Sequence, residues 1–155
     1  MIVALLIIHG LLAVALLGAI THQSFSVART VSVPAGQRSF VTKFRSVGGA
    51  SYTNAIVVLF IVTSIGGALL YPQYRLDVRT TLEDLNLRGA NGMFEIKEHL
   101  AAIGLGLLPA YWFLWRQPPT APYLGARKYV TWILAFLVWW NFLVGHILNN
   151  IKGFS

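Results

Sequence analysis

Histidines are the residues of this 155-residue chain best suited to binding a cofactor, since the chain contains no cysteine. The four histidines stand at positions 9, 22, 99 and 146. Without cysteine the chain has no disulfides, thiolate metal sites or cysteine catalysis. Imidazole remains, and it is a common ligand for haem iron, zinc and copper. No Ser–His–Asp set, glycine-rich phosphate loop or pair of catalytic carboxylates accompanies the histidines, so the sequence leaves open whether the chain is an enzyme.

The segments that carry the histidines are strongly apolar. The chain is 56% hydrophobic and 11% charged, whereas soluble domains carry about 25% charged residues. Four runs have about the 20 apolar residues needed to cross a bilayer, at residues 2–21, 52–71, 94–115 and 129–148. The first run lacks the basic start of a signal peptide, so we expect it to be retained. The sequence therefore predicts one all-α domain over residues 1–155, an integral membrane antiparallel four-helix bundle.

Charges in the connections predict the direction of these spans. In the first and third connections every charged residue is basic: these are Arg29, Arg38, Lys43, Arg45, Arg116, Arg127 and Lys128. All five acidic residues lie between positions 77 and 98. Lys and Arg concentrate on the cytoplasmic side of membrane proteins. We therefore expect both termini and the second connection outside, and this topology explains the net charge of +7 without a nucleic-acid partner.

This topology gives each histidine a depth, at a rise of about 1.5 Å per residue. His9, His99 and His146 fall in one outer layer, whereas His22 is alone at the inner end. A haem in a bundle needs two axial imidazoles at matching depth on facing helices. His99 and His146, on consecutive spans, are the preferred pair. His9 is a replacement for either, or a third ligand if the centre is a copper or zinc ion.

Other residues fit the same hypothesis but have ordinary interpretations too. Arg75, Arg79 and Arg88 on the outer connection are candidates to pair with haem propionates, although such arginines are usually solvated. The five tryptophans are candidates to surround a porphyrin, although a membrane-interface belt explains most of them. We expect His22 to make an ordinary hydrogen bond. Ionisable residues inside spans usually mark a functional site, which favours the outer histidines.

Three local patterns predict details of the connections and contacts. The stretch "RLDVRTTLEDLNLRG" predicts a short amphipathic helix that Gly89 ends, and "RQPPTAP" predicts a stiff inner turn. Gly18, Gly66 and Gly67 are small residues that allow close helix approach. In "KEH", residues 97–99, adjacent helical positions point in different directions, so these side chains cannot all face the bundle.

Two spans also carry a family resemblance. "HGLLAVALLG", from His9 to Gly18, resembles the first-helix pattern of the copper-resistance protein D family. The related small bacterial membrane proteins that bind haem b and oxidise protoporphyrinogen share that pattern. "FEIKEHLAAIGLGLL" is similar to a later span of both groups, which opens with a lysine, here Lys97. The resemblance implies a four-helix fold, His9 as a ligand and, less strongly, Lys97 as another. We expect the chain in a bacterial inner membrane.

Together these patterns predict a small membrane protein that binds haem b, or a copper or zinc ion, in its outer half. It would act in electron transfer or redox chemistry near the outer face, with the bilayer and a redox partner or other membrane subunits around it. The alternative is a cofactor-free accessory subunit of a larger membrane complex. A metal-ion permease is disfavoured because the spans hold few acidic residues.

The topology yields a first prediction. Because the chain has no cysteine, Ser46→Cys and Thr120→Cys introduce single labelling sites in the predicted inner connections. A membrane-impermeant maleimide added to intact cells should leave both unlabelled, whereas Asp84→Cys in the second connection should react. Reaction of both Ser46→Cys and Thr120→Cys from outside would reverse the orientation and move the histidine layer to the inner face.

Overall fold

Helices make up the ordered elements of the chain. The computed structural model describes residues 2–28, 50–118 and 120–153, and no strand occurs among them. The helices are α1 (Ile2–Ala28), α2 (Ala50–Gln73), α3 (Arg79–Asp84), α4 (Arg88–Arg116) and α5 (Ala121–Gly153), with a π-helical turn, Tyr74–Val78, between α2 and α3. The prediction of an all-α protein with four long helices is confirmed for the described residues. Most of the basic first connection lies outside them.

Three of the four predicted spans are confirmed as helices that are long and apolar enough to cross a membrane. In the described part of the chain, three helical segments are long and apolar enough to cross a membrane: Ile2–Ala28, Tyr52–Asp84 and Pro122–Asn150. The helix expected at 94–115 exists as part of α4. However, α4 is not among the three segments, since Glu95, Lys97 and Glu98 make its first half less apolar.

The four long helices share one core. α1 packs against α2 and α5, and α4 packs against α5 and α2. Apolar side chains from all four helices meet in the core: Leu16, Ile20, Ile56, Phe60, Leu108 and Leu134. The end of α1 lies beside the start of α2, where the Tyr52 hydroxyl donates to the Ala19 carbonyl at 3.0 Å. Every long helix therefore buries one side and exposes the other.

Glycines allow close contact at some of the predicted positions. The ring of Phe60 on α2 lies against Gly104 on α4, and a Cβ atom at Gly104 would overlap that ring. Gly66 and Gly67 lie against the side chain of His9 on α1. The expectation for Gly18 is wrong within the described part of the chain, because Gly18 is exposed there and none of the described atoms lies within 4 Å of the position of its missing Cβ.

The turn between α4 and α5 lies where "RQPPTAP" predicts it. Arg127 stabilises this turn from α5: its Nε donates to the Leu114 carbonyl at 3.1 Å, and its Nη2 donates to the Gln117 carbonyl at 2.6 Å. One turn further along, the Trp115 indole donates to the Thr131 hydroxyl at 3.0 Å. The guanidinium thus satisfies carbonyls that the end of a helix leaves without intrahelical partners.

The prediction that Gly89 ends the helix of the second connection is wrong. That helix is not a separate element, because α2 continues through the π-helical turn into α3. Asn86, with φ of 57°, ends α3. The amide of Asn86 donates to Glu83 at 2.9 Å and that of Leu87 to Leu82 at 2.8 Å, as in a Schellman motif. Gly89 is instead the second residue of α4.

A buried polar cluster joins three helices at the other end of the molecule. Gln23, Thr53 and Tyr111, which we call the Gln23 cluster, are fully buried on α1, α2 and α4. The Tyr111 hydroxyl donates to Gln23 Oε1. Gln23 Nε2 donates to the Thr53 hydroxyl at 3.4 Å. The sequence singled out none of the three for this role, although each is a polar residue at the end of an apolar run.

The Gln23 cluster yields a stability prediction. Tyr111→Phe leaves Gln23 Oε1 buried without its donor, which should lower the free energy of unfolding by about 1–3 kcal/mol. Equilibrium unfolding in detergent measures this change. Tyr129→Phe is the matched control, because Tyr129 is 63% exposed. Adding Gln23→Leu to Tyr111→Phe should restore part of the loss, since it removes the unpaired amide oxygen; the recovery stays partial because the buried Thr53 hydroxyl then loses its donor. Equal stability of the Tyr111 and Tyr129 variants would contradict a structural role for the cluster.

Candidate functional site

His9 lies at the contact between α1 and α2. A Cβ atom on Gly66 would stand 3.0 Å from its Nδ1, and one on Gly67 would stand 3.5 Å from its Cε1. A larger residue at Gly66 would therefore displace the ring. The two glycines, which the sequence predicted as sites of close helix approach, create the groove that the imidazole occupies.

The imidazole of His9 is only partly satisfied by hydrogen bonds. It bonds to the backbone of Thr63, one turn before Gly66 on α2. Its Nδ1 is buried and has no hydrogen-bond partner among the described residues, and the Thr63 hydroxyl is in the same situation. A buried polar atom without a partner costs about 1–3 kcal/mol. Such atoms in a native structure call for a ligand, an ordered water or a chemical role.

Lys97 approaches the same place from α4. Its Cε lies 3.3 Å from where a Cβ atom of Gly145 on α5 would stand, so the lysine chain passes over that glycine. Its Nζ lies 4.9 Å from the centroid of the Phe94 ring. Lys97 is near enough to His9 for its charge to influence the imidazole. All four long helices therefore contribute to one site, the His9 site: His9, Thr63, Gly66, Lys97 and Gly145.

The preferred ligand pair of the sequence, His99 and His146, lies at this level but faces away from the His9 site. Both residues are exposed. His99 Nδ1 lies 2.7 Å from the carbonyl oxygen of Glu95 in its own helix, and the His146 ring stacks on Phe142 with centroids 6.2 Å apart. Each residue turns an α-helix by about 100°, so His99 points about 160° away from Lys97. The structure thus places Lys97 within electrostatic reach of His9, and leaves His99 and His146 exposed.

His22 lies apart from the His9 site, near the opposite end of α1. Its ring meets the ring of Tyr52 edge-on, with centroids 6.1 Å apart. Its Nδ1 stands 3.5 Å from the Tyr52 hydroxyl. These contacts agree with the ordinary, hydrogen-bonded role that the sequence favours for His22.

The arginines predicted to pair with propionates lie on the connection between α2 and α4. Arg75 lies over the Tyr71 ring, 5.9 Å from its centroid. Arg79 forms a 2.8 Å ion pair with Glu83. Arg88 is exposed at the start of α4. Of the three, Arg79 is already engaged by a carboxylate, which makes it the weakest candidate.

Most of the tryptophans are held by hydrogen bonds to other residues of the chain. The indoles of Trp112, Trp115, Trp132 and Trp139 donate to Asn54, Thr131, Ser24 and Thr21, respectively. Only the Trp140 indole nitrogen is buried without a partner among the described residues. These bonds link helices to one another. The tryptophans therefore hold the helices together, in addition to any role in a belt at the membrane interface.

A metal site of three or more side chains is not assembled in the described ranges. No group of three His, Cys, Asp or Glu residues there is close enough to hold an ion. The three outer histidines that the sequence offered as an alternative metal site are therefore not brought together. The site that does form has one imidazole and one amine, and apolar helices surround it.

Sequence reasoning missed two parts of the His9 site. The sequence could have pointed to Gly145, because it is a small residue within an otherwise bulky stretch and directly precedes His146. Thr63 lies one helical turn before Gly66, so both occupy one face of α2. Lys97 entered the sequence interpretation only through the family resemblance. In the structure its side chain passes over Gly145, and its charge reaches the imidazole of His9.

Comparisons with known proteins do not extend this picture: no family model, curated protein or solved structure matches the chain.

Proposed function

We propose that this chain is an antiparallel four-helix bundle of the membrane that binds haem b in its outer half and acts in electron transfer or redox chemistry. The observation that carries the proposal is the buried Nδ1 of His9, which has no hydrogen-bond partner among the described residues and lies within reach of the charge of Lys97. Ionisable side chains at membrane depth are costly and usually functional.

The distribution of apolar side chains supports the membrane part of the proposal. Large hydrophobic residues are exposed along α1, α2 and α5, for example Leu11 at 66% and Leu69 at 62%. Lipid tails would cover them. α4 is less apolar, but it packs along α5 and α2 and is tied to α5 by Arg127. Its neighbours would carry it across the bilayer as one wall of the bundle.

The composition of the His9 site favours haem over zinc. Zinc takes about four ligands from nitrogen, sulfur or carboxylate oxygen. The described residues around His9 supply one imidazole and one amine. Haem needs few protein ligands, because the porphyrin supplies four of the ligands of its iron. His9 would hold the haem through its imidazole; Lys97 would hold it as a neutral amine, or pair with a propionate as an ammonium.

The chain would supply binding, orientation and the exclusion of water, and the haem would supply one-electron chemistry. Hydrogen bonding to the Thr63 backbone orients the His9 imidazole, as outer partners commonly do for ligating histidines. Gly66 and Gly67 let the imidazole lie close to α2. Arg75 and Arg88 lie on the connection at the same end and remain candidate propionate partners.

Replacing His9 tests this ligand assignment. We expect His9→Ala to lose haem and Lys97→Met to bind less haem or shift its absorption bands, since each removes a side chain at the proposed iron. His22→Ala is the matched control and should keep full haem, because His22 lies on the same helix but outside the site. Pyridine haemochrome quantitation on purified protein measures the haem content.

The same measurement decides between His9 and the pair predicted from the sequence. His99→Ala and His146→Ala should retain haem if the His9 site binds it. Loss of haem in both, with full content in His9→Ala, would contradict the His9 site and restore the pair.

Gly66 provides a second test that leaves every candidate ligand in place. Gly66→Val puts side-chain atoms where the imidazole of His9 lies and should lower haem affinity by about tenfold or more, as displacement of a ligand-orienting contact does. Gly18→Val is the matched control, since α1 is open at that position. Haem titration of the two variants gives the comparison, and equal affinities would refute the groove as part of the site.

An accessory subunit remains the second candidate, and one observation favours it. Glu95 and His99 are exposed on the first half of α4, where His99 would face lipid in an isolated bundle. A neighbouring subunit would cover these polar groups. A folded wild-type protein without any haem absorption would favour this function over the first.

A further inference from the structure

An open apolar groove lies between α2 and α4, outside the His9 site and the Gln23 cluster. Its volume is about 400 Å³, within the range of about 300–1,000 Å³ that small-molecule sites have. Apolar side chains line it: Val57, Ile61, Leu105, Leu108, Pro109 and Trp112. We call it the Trp112 groove. Leu108 is buried, whereas Ile61, Leu105 and Trp112 are exposed. The groove therefore opens at the surface of the bundle.

A guanidinium group stands at one end of the Trp112 groove. Arg116 lies over the Trp112 ring, 4.0 Å from its centroid. Its Nη2 donates to Asn54 Oδ1 at 3.2 Å, and the Trp112 indole donates to the same oxygen at 3.0 Å. One amide oxygen of α2 thus holds both the indole and the guanidinium of α4. Because Trp112 lines the groove, this contact fixes a positive charge at the groove's edge.

Acidic side chains are concentrated at the opposite end of the bundle from Arg116. All five lie between positions 77 and 98, and Glu98 precedes Arg116 by about 27 Å of helical rise. A guanidinium has five N–H donors, and the acceptor of Arg116 among the described residues is the neutral amide of Asn54. Donors thus remain for an anion. Phosphate fits them, since guanidinium and phosphate commonly form bidentate pairs.

The Trp112 groove and Arg116 together have the length of one membrane leaflet. Residues 105–116 of α4 rise by about 16 Å, and half of the hydrocarbon core of a bilayer is about 15 Å thick. Just beyond Leu105, the ring of Phe60 lies against Gly104 and brings α2 and α4 together. The space between the two helices is therefore apolar along one leaflet and ends at a cation. An amphiphile with an anionic head and an apolar chain matches this arrangement.

We propose that the Trp112 groove binds one anionic phospholipid, with the lipid phosphate on Arg116 and one acyl chain between α2 and α4. The charge distribution predicts this end of the bundle on the cytoplasmic side, where anionic lipids give the membrane a negative surface potential. Basic pockets between membrane helices on that side commonly bind anionic head groups. The Trp112 indole lies at the level of the head groups, as interfacial tryptophans do. This inference rests on the membrane part of the proposed function and is independent of haem.

Native mass spectrometry of the full-length protein tests the polar half of the site. The probes are phosphatidylglycerol and phosphatidylcholine with the same acyl chains, added in equal amounts to the protein in detergent. We expect the wild type to retain one phosphatidylglycerol in preference to phosphatidylcholine. Arg116→Gln should lower this binding by about tenfold or more, because charge-assisted hydrogen bonds to the phosphate are lost. Lys128→Gln is the matched control and should bind as the wild type does, since Lys128 lies over Trp132, 4.5 Å from its centroid, and does not line the groove.

A substitution that fills the groove tests the apolar half without changing any charge. Ile61→Trp should also lower phosphatidylglycerol binding, because the indole occupies the space of the acyl chain. Val58→Trp is its matched control, since Val58 is exposed on α2 and does not line the groove. Equal losses in Arg116→Gln and Lys128→Gln would show attraction by the overall basic charge and would overturn the site. Wild-type binding in Ile61→Trp would overturn it as well.

Further outcomes distinguish this proposal from the proposed function. Release of the chain from membranes by alkaline carbonate would refute the membrane part of that function, and the lipid site with it. Selective lipid binding by a protein without haem would support the lipid site and refute the haem function. Haem binding without any preference for the anionic lipid would refute the lipid site alone. A lipid-free dimer that Ile61→Trp dissociates would assign the groove to a second copy of the chain and overturn the lipid site.

Discussion

A buried polar side chain needs hydrogen-bond partners inside the protein, and this constraint organises the molecule. At one end, Gln23, Thr53 and Tyr111 satisfy each other across three helices. Indole groups on α4 and α5 donate to polar residues of neighbouring helices in the same way. Among the described residues, five buried side-chain atoms lack such a partner, and they stand out against these satisfied groups.

His9 supplies one of these unpaired atoms. Its ring is held by the Thr63 backbone and by a groove at Gly66, yet its Nδ1 has no partner among the described residues. Lys97 is near enough for its charge to influence the imidazole. The polar groups of the Gln23 cluster satisfy each other, so an imidazole held in place but incompletely bonded is the feature on which the proposed ligand site depends.

The connection between α2 and α4 differs from the end of the molecule that holds the Gln23 cluster. There the Tyr74 ring stacks on Phe94 with centroids 3.5 Å apart, while the Tyr74 hydroxyl and Asn91 Oδ1 are buried without a hydrogen-bond partner among the described residues. The π-helical turn that presents Tyr74 interrupts regular α-helical geometry, and such turns occur frequently at functional sites. The polar groups of the Gln23 cluster are thus paired with each other, whereas these two are not paired within the described residues.

Much of the architecture could be predicted from the pattern of apolar and charged residues. Apolar runs of membrane length indicated the four helices, and "RQPPTAP" indicated the turn before α5. Counting residues from the span ends placed His9, His99 and His146 near one level. In the structure Lys97, two residues before His99, passes over Gly145, next to His146, and its charge reaches His9. Depth follows from a constant rise per residue, so the sequence alone determines it well.

Rotation about each helix axis was decided only by the tertiary structure. One residue changes the direction of a side chain by about 100°, so a small shift in packing decides whether Lys97 or His99 faces the core. That rotation results from contacts along the whole helix, such as Phe60 against Gly104 and Arg127 at the α4–α5 turn. Apolar residues surround α1 and α2 almost uniformly, so the sequence did not indicate which face of either helix is buried. The sequence therefore determined which residues reach the site's level, and packing decided that His9 lies against Gly66 and that Lys97, not His99, passes over Gly145 toward it.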